Sequence, residues 1–249
     1  MYKMIPTFVV NLERTPERKV YMNRLLSQFN FLDVSFIKAI DGKCLSEEEL
    51  TNRFDRKLAY QRYGRNLNVG EIGCTLSHYQ CYQKILREKL SYVLILEDDV
   101  TIMKELSIAK ELIAHINTNV PTILFLSADY WYYQLKKINE KYSIASVFDA
   151  VGSYAYLINY AAVKLILKKN KVAANVADSW ALYKRQGVHL KAIYPYLVDA
   201  NIESFNSTIN QSCWGGKKDN MSLANCIDAY WLAIGKKLLR KKFVSKIRK

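Results

Sequence analysis

The chain has 249 residues and a formal charge of +14, with half of its residues hydrophobic and 24% charged. That length and composition favour a single domain with a sizeable core and exclude a collagen-like repeat, a low-complexity linker or a disordered chain. Eight Lys and Arg and no acid fall in residues 236–249, so most of the excess charge belongs to the C-terminus, and the expected organisation is one domain over 1–235 followed by a basic tail over 236–249.

Residues 5–12 are an apolar, β-branched run that reads as a strand. Thr15 and Pro16 then cap and open a helix whose apolar positions, Met22, Leu25, Leu26 and Phe29, recur at helical spacing. Residues 34–40 read as a second strand closed by Asp41-Gly42, and Ser46 with Glu49 forms a capping box before a short helix. Residues 53–68 are polar, aromatic and irregular. From Gly70 to Lys89 the pattern is that of a half-buried helix. Residues 92–96 (YVLIL) are a continuous apolar run, too short for a helix and typical of a strand covered on both faces. Helix-like 104–117, strand-like 122–127, an aromatic segment at 130–133, a strand at 154–159 and a helix at 161–168 follow. A helix at 177–185 and a strand at 189–194 complete the pattern. The segment from Ile227 has helical spacing at Trp231, Ile234 and Leu238, but Lys242 returns to that face and makes the helix poorly amphipathic. Strands alternating with helices imply an α/β sandwich around a largely parallel sheet.

Cys44, Cys74, Cys81, Cys213 and Cys226 are odd in number and scattered, with no CxxC pair and no His read as standing at zinc-ligand spacing, so the expected compartment is reduced and cytoplasmic. The N-terminal apolar run is too short and too soon followed by Asn11, Glu13 and Arg14 to read as a secretion signal.

In an open α/β sheet the ligand sits outside the carboxyl ends of the strands. Glu97, Asp98 and Asp99 stand at such a place, directly after the 92–96 run. Three adjacent carboxylates repel one another unless a cation neutralises them, and hard oxygen ligands suit Mg²⁺ or Mn²⁺. In extended chain Glu97 and Asp99 share one side and Asp98 takes the other. A solvated turn that caps the next helix is the competing reading. Ser77 and His78 are adjacent on a helix, diverge by about 100°, and so form no catalytic dyad.

With these residues on the page, the chain resembles glycosyltransferase family 25. The likeness rests on Asn11-Leu12 with Arg14 and Arg18, on GEIGCTLSH over 70–78, on LILEDDV over 94–100, and on the block around Gly152, Ala155 and Ala162. That family comprises bacterial lipo-oligosaccharide galactosyltransferases and their collagen-galactosyltransferase relatives. The resemblance implies a GT-A fold with a Rossmann-like mixed sheet, a UDP-hexose donor, Mn²⁺ or Mg²⁺, and inverting transfer of β-linked galactose to a saccharide acceptor on a glycolipid in lipopolysaccharide synthesis. UDP-glucose is the alternative donor.

The family's motif places the metal on Glu97 and Asp99, with Asp98 beside them. Asn11, Arg14, Arg18, Ser77, His78 and Asp98 are then expected at the donor site, with helix-surface charge as the other reading for the arginines and a buried scaffold role as the other reading for His78. Inversion needs a base for the acceptor proton. Asp178 is the first candidate, with helix capping as its rival, and Asp129 and Glu203 follow.

Tyr130 to Tyr133 could face a sugar or lie at a sheet edge, and Gly215-Gly216 could form a lid or a plain surface loop. The basic tail suggests a peripheral position on an anionic inner membrane surface, against a purely solubilising role. A nucleic-acid-binding protein is the reading from a different class, disfavoured because the charge concentrates in the tail and no recognition motif is present, so no specific nucleic acid is expected.

Overall fold

The computed structural model describes residues 4–116, 119–201, 205 and 223–244. Its first half contains β1 (Ile5–Asn11), α1 (Pro16–Leu26), β2 (Leu32–Lys38), α2 (Glu47–Arg53), α3 (Arg56–Tyr63), α4 (Val69–Glu88), β3 (Tyr92–Glu97), β4 (Val100–Ile102) and α5 (Ala109–Ala114). The second half adds β5 (Thr122–Phe125), β6 (Tyr130–Lys137), β7 (Ser143–Ala150), β8 (Ala155–Asn159), α6 (Tyr160–Lys169), α7 (Trp180–Arg185), β9 (His189–Tyr194), β10 (Val198–Ala200), α8 (Leu223–Leu238) and β11 (Phe243–Val244).

Nine strands form one sheet in the order β11-β6-β7-β9-β5-β8-β3-β1-β2, and β10 pairs separately with β4. The expectation of a largely parallel sheet is corrected. β1 runs parallel to β2 and β3, and β5 to β9, but β8 is antiparallel to both β3 and β5, and β7 is antiparallel to β6 and β9. A continuous apolar strand has the same composition in either direction, so the pattern of residues 155–159 carried no directional signal. The mixed α/β sandwich itself is the architecture expected of the GT-A class.

Alternation along the central strands builds two cores. Val93 and Ile95 of β3 pack with Leu76, Tyr82 and Ile85 of α4 and with Val163 and Ile166 of α6 on one face. Leu94 and Leu96 pack with Met22 and Leu26 of α1 and Leu112 of α5 on the other. Being buried on both faces is what made the YVLIL run continuous.

Local signals account for most helix boundaries. The Ser46–Glu49 capping box is formed at α2, and a second box, Asn68 with Glu71, opens α4. α3 occupies part of the stretch expected to be irregular. Asp55 caps it, Gly64 ends it in the left-handed region at φ 67°, and its one buried residue is Ala59, so it leaves almost no amphipathic trace.

The segment expected as a helix over 104–117 is a 3-10 turn followed by the short α5, and the helix expected over 177–185 begins only at Trp180. The aromatic run at 130–133 opens β6, next to the sheet edge, and β7, which had no distinct sequence signature, completes its hairpin.

α8 ends at Leu238, so Lys242 never reaches its apolar stripe, and Ile227, Tyr230, Trp231 and Leu238 stand exposed on it. Through Val244, the part of 236–249 that is described lies docked on the sheet. Lys236 Nζ pairs with the buried Asp149 at 2.6 Å, and β11 adds antiparallel to β6.

Candidate active site

Glu97 ends β3, and Asp98 and Asp99 make the turn into β4, at the carboxyl edge of the sheet. Because Asp98 and Asp99 lie in a turn and not in extended strand, the alternation expected of the three acids does not hold: Asp98 is buried, yet it borders the same cleft as Glu97 and Asp99. Its Oδ2 accepts from Asn11 Nδ2 at 2.6 Å and from Thr15 Oγ1 at 3.4 Å, and its Oδ1 accepts from an Arg18 guanidinium nitrogen at 2.9 Å. That same Arg18 nitrogen donates to Asp99 Oδ2 at 3.1 Å. Arg18 is only 5% exposed, so its charge is used inside the protein. Asn11, Arg18 and Asp98, expected as donor contacts, form a buried clamp that sets the orientation of the acid turn.

Glu97 and Asp99 face a cleft bordered also by Arg14, Asp41, Lys43, Cys74 and His78. Asp99 Oδ1 is buried and has no hydrogen-bond partner among the described residues. Burial pushes the Asp99 carboxyl up from 3.8 to about 6; Glu97 adds to the push, and Arg18 opposes it. A lone carboxylate oxygen shut away from water is costly unless something cationic meets it. Together with Glu97 it suits a hard divalent cation, and these two residues would hold it.

The antiparallel course of β8 sets the other wall. Leu96 pairs with Ala155, which brings the residues before β8 beside Glu97. Ser153 Oγ donates to Glu97 Oε1, and Glu97 N donates to Tyr154 O at 2.9 Å. On α4, Gly70, Cys74, Ser77 and His78 line the same cleft at helical spacing. His78 Nδ1 lies 2.7 Å from Tyr156 Oη, and its Nε2 is 3.7 Å from Glu97 Oε1. Ser77 is taken up by backbone: it donates to Gly73 O at 2.6 Å and accepts from Ile40 N at 2.8 Å, tying the loop after β2 to α4. A Cβ on Gly73 would stand 2.6 Å from Ile40 O, so the glycine is required by close approach. Arg14 sits at the rim in an exposed ion pair with Asp41.

Of the expected bases, Asp178 does not cap α7, which begins after Ser179 without a side-chain cap. Its Oδ2 instead accepts from Gly152 N at 2.9 Å, and burial, with a further push from Glu97, raises its carboxyl above the ordinary 3.8. Asp129 lies on a left-handed turn at φ 66°. Asp178 borders a second cavity, with Asp149, Trp180 and Arg185, and not the cleft lined by Glu97 and Asp99; the charges of Glu97, Asp99, Asp129 and Asp178 each raise the Tyr154 phenol, behind the leading effect of its burial. Glu203 and Gly215-Gly216 lie outside the described residues. The aromatic run is no part of the cleft: Tyr130 is buried and donates to Ile193 O, and Trp131 stacks on Phe243.

Three residues beside Glu97 escaped the sequence reading. Cys74 stands one helical turn before His78, a spacing visible in GEIGCTLSH. Ser153 and Tyr156 had no local signal and arrive through the strand pairing.

A turn of acids at the carboxyl edge of a mixed sheet, with an unpartnered carboxylate oxygen over a polar cleft, defines an α/β protein with a candidate centre for a divalent cation and a ligand bound through it. The profile described as "Glycosyltransferase family 25 (LPS biosynthesis protein)" matches residues 4–180. The chain belongs to glycosyltransferase family 25.

Among its relatives, a "Glycosyltransferase 25 family member" of Drosophila melanogaster is 42% identical over 96 residues, covering 37% of this chain and 16% of the relative. "Procollagen galactosyltransferase 2" of Homo sapiens is 35% identical over 96 residues, 37% of this chain and 15% of the relative. "Inactive glycosyltransferase 25 family member 3" of Homo sapiens is 36% identical over 98 residues, again 37% of this chain and 16% of the relative. The match thus spans about a sixth of these longer proteins. Among solved structures, the glycosyltransferase GlyE of Streptococcus pneumoniae TIGR4 is similar with a TM-score of 0.41 and 10% identity, covering 99% of this chain and 66% of that one.

Proposed function

We propose that the chain transfers a hexose, with inversion, from a UDP-sugar to a saccharide hydroxyl. Because a relative called inactive is as similar as one called a galactosyltransferase, the case for catalysis rests on the site. The observation that carries it is the buried, unpartnered Asp99 Oδ1, on a carboxylate that lines the cleft with Glu97. Glu97 and Asp99 would hold Mn²⁺ or Mg²⁺, which would supply charge stabilisation for the departing diphosphate. The chain's own residues do the rest. The Asn11–Arg18–Asp98 clamp fixes the turn so that Glu97 and Asp99 need not reorganise, and Arg14 and Lys43 bring positive charge to the cleft, where it would meet phosphate oxygens of the donor. Asp178 takes the proton from the acceptor hydroxyl as that oxygen attacks the anomeric carbon. The raised pKa given by its burial makes it a stronger base than a surface Asp.

The human relative's name favours UDP-galactose over UDP-glucose, and the "LPS biosynthesis" description of the family favours a glycolipid acceptor. A lipid-linked acceptor also gives a use to the exposed stripe of α8. Tyr230 and Trp231 are more than 60% exposed beside Lys237, Arg240 and Lys241, the composition of a helix lying on the anionic cytoplasmic face of an inner membrane. The direct test is UDP release from UDP-galactose, UDP-glucose and UDP-N-acetylglucosamine, with Mn²⁺ or with chelator, and a lactose- or glucose-terminated acceptor. Chelator-sensitive turnover of one donor is expected. Absence of turnover together with no thermal protection by UDP and Mn²⁺ would reject the reading.

A further inference from the structure

We propose that Cys74, His78 and Glu97 form a site for a thiophilic divalent cation, Zn²⁺, adjoining but distinct from the Glu97–Asp99 pair. Cys74 and His78 lie at i and i+4 on one face of α4, and Glu97 meets them from the end of β3. The thiol sulfur, an imidazole nitrogen and a carboxylate oxygen of the three lie within 4.8 Å of one another. Thiolate, imidazole and carboxylate are the ligand types zinc takes, and three protein ligands leave one position open to water.

His78 Nε2 is the observation that points to a ligand. The residue is 1% exposed, and this nitrogen has no hydrogen-bond partner among the described residues. Glu97 Oε1, which accepts from Ser153, is 3.7 Å away, beyond hydrogen-bond reach. Either tautomer leaves a deficit. With the proton on Nδ1, a bare lone pair faces a carboxylate; with the proton on Nε2, a buried donor goes unused. A cation between Nε2 and the carboxylate removes the first deficit, and the structure supplies the hydrogen-bond partner such a ligand needs on its other nitrogen: Nδ1 lies 2.7 Å from Tyr156 Oη, which is itself 2.9 Å from Tyr82 Oη.

The geometry is close to what zinc requires. Metal–ligand bonds of about 2.0–2.3 Å at tetrahedral angles put ligand atoms roughly 3.4–3.7 Å apart. The His78–Glu97 separation is already there. All three ligand atoms lie within 4.8 Å of one another, which leaves an adjustment of about 1 Å at most for any pair.

Soft and borderline ligands favour Zn²⁺ over Mn²⁺ or Mg²⁺, whereas Glu97 with Asp99 offers oxygen alone. Glu97 is common to both sets. Zn²⁺ occupancy therefore draws its carboxylate toward α4 and inhibits the proposed transfer; this consequence rests on the sugar-donor reading, whereas the binding test does not.

The test is a Co²⁺ titration of the full chain without donor or acceptor. One equivalent is expected to give a near-ultraviolet thiolate-to-cobalt absorption that added Zn²⁺ abolishes and that Cys74→Ser lacks. In competition with a chromogenic chelator, Zn²⁺ affinity is expected to fall at least ~10-fold in His78→Ala and about 10- to 100-fold in Tyr156→Phe. No thiolate absorption in the unaltered protein would overturn the proposal, and so would an absorption that survives Cys74→Ser and disappears in Cys44→Ser. The unaltered protein alone suffices for the first outcome, so a poorly folding variant does not shield the proposal.

Discussion

Replacing Asp99 by Asn removes one negative charge from the acid turn while keeping the side chain's shape and the acceptor for Arg18. In the cation-free protein Asp99 is held at a cost: its carboxyl ionises at about 6 when folded and near 3.8 when unfolded, because burial and the neighbouring Glu97 outweigh the attraction of Arg18. A raised carboxyl pKa means that the folded state holds the proton more tightly, so stability declines as pH rises from about 4 to about 6 and stays low above that. The linkage gives about 3 kcal/mol at pH 7.5 and about 1 kcal/mol at pH 4.5. Asp99→Asn is therefore expected to raise the melting temperature of chelator-treated protein by roughly 6–12 °C at pH 7.5, at 2–4 °C per kcal/mol for a chain of this size. Most of that gain should vanish at pH 4.5. Added Mn²⁺ should stabilise the parent and leave the variant nearly unmoved. Calorimetry at the two pH values, with and without Mn²⁺, reads all of this. A variant no more stable than its parent at pH 7.5, or a gain that does not shrink in acid, would refute the reasoning.

Arg18→Met leaves the buried Asp98 and the partly buried Asp99 without their cation and should cost about 3–5 kcal/mol in urea unfolding, whereas Arg14→Met, which loses only the rim pair with Asp41, should cost under ~1 kcal/mol; equal losses would contradict the clamp. Gly73→Ala would stabilise an ordinary helix by about 1 kcal/mol, but here its Cβ meets Ile40 O and Gly42 N, and a net loss of about 1 kcal/mol or more is expected in the same assay. Asp178→Asn should lower turnover by about 100-fold or more while thermal protection by UDP and Mn²⁺ persists, and loss of both together would remove Asp178 from the role of base. Tyr230→Ser with Trp231→Ser should weaken sedimentation with anionic vesicles and leave soluble-acceptor turnover intact; unchanged sedimentation would discount the α8 stripe.

Much of the site's frame was legible in residues alone. The apolar run before Glu97 and the helix that carries Cys74 and His78 follow from local periodicity and capping, whereas the turn at Asp98-Asp99 breaks the alternation expected of the three acids. The family likeness in residues 70–78 and 94–100 added the chemistry. What those signals could not carry is which strand lies beside which, and in what direction. Residues 155–159 are equally apolar either way, yet only their antiparallel course sets Ser153 against Glu97 and Tyr156 against His78. Arg18 reads on paper as a surface charge or a phosphate contact; the fold buries it against acids 80 and 81 positions away. The basic segment reads as a tail that follows the domain, and what holds its described part, through Val244, is Asp149 and the edge of β6. Hydrophobic pattern records that a residue is buried, while the partner of a buried charge is set by proximity between segments far apart in the chain, and that proximity exists only once the sheet has closed.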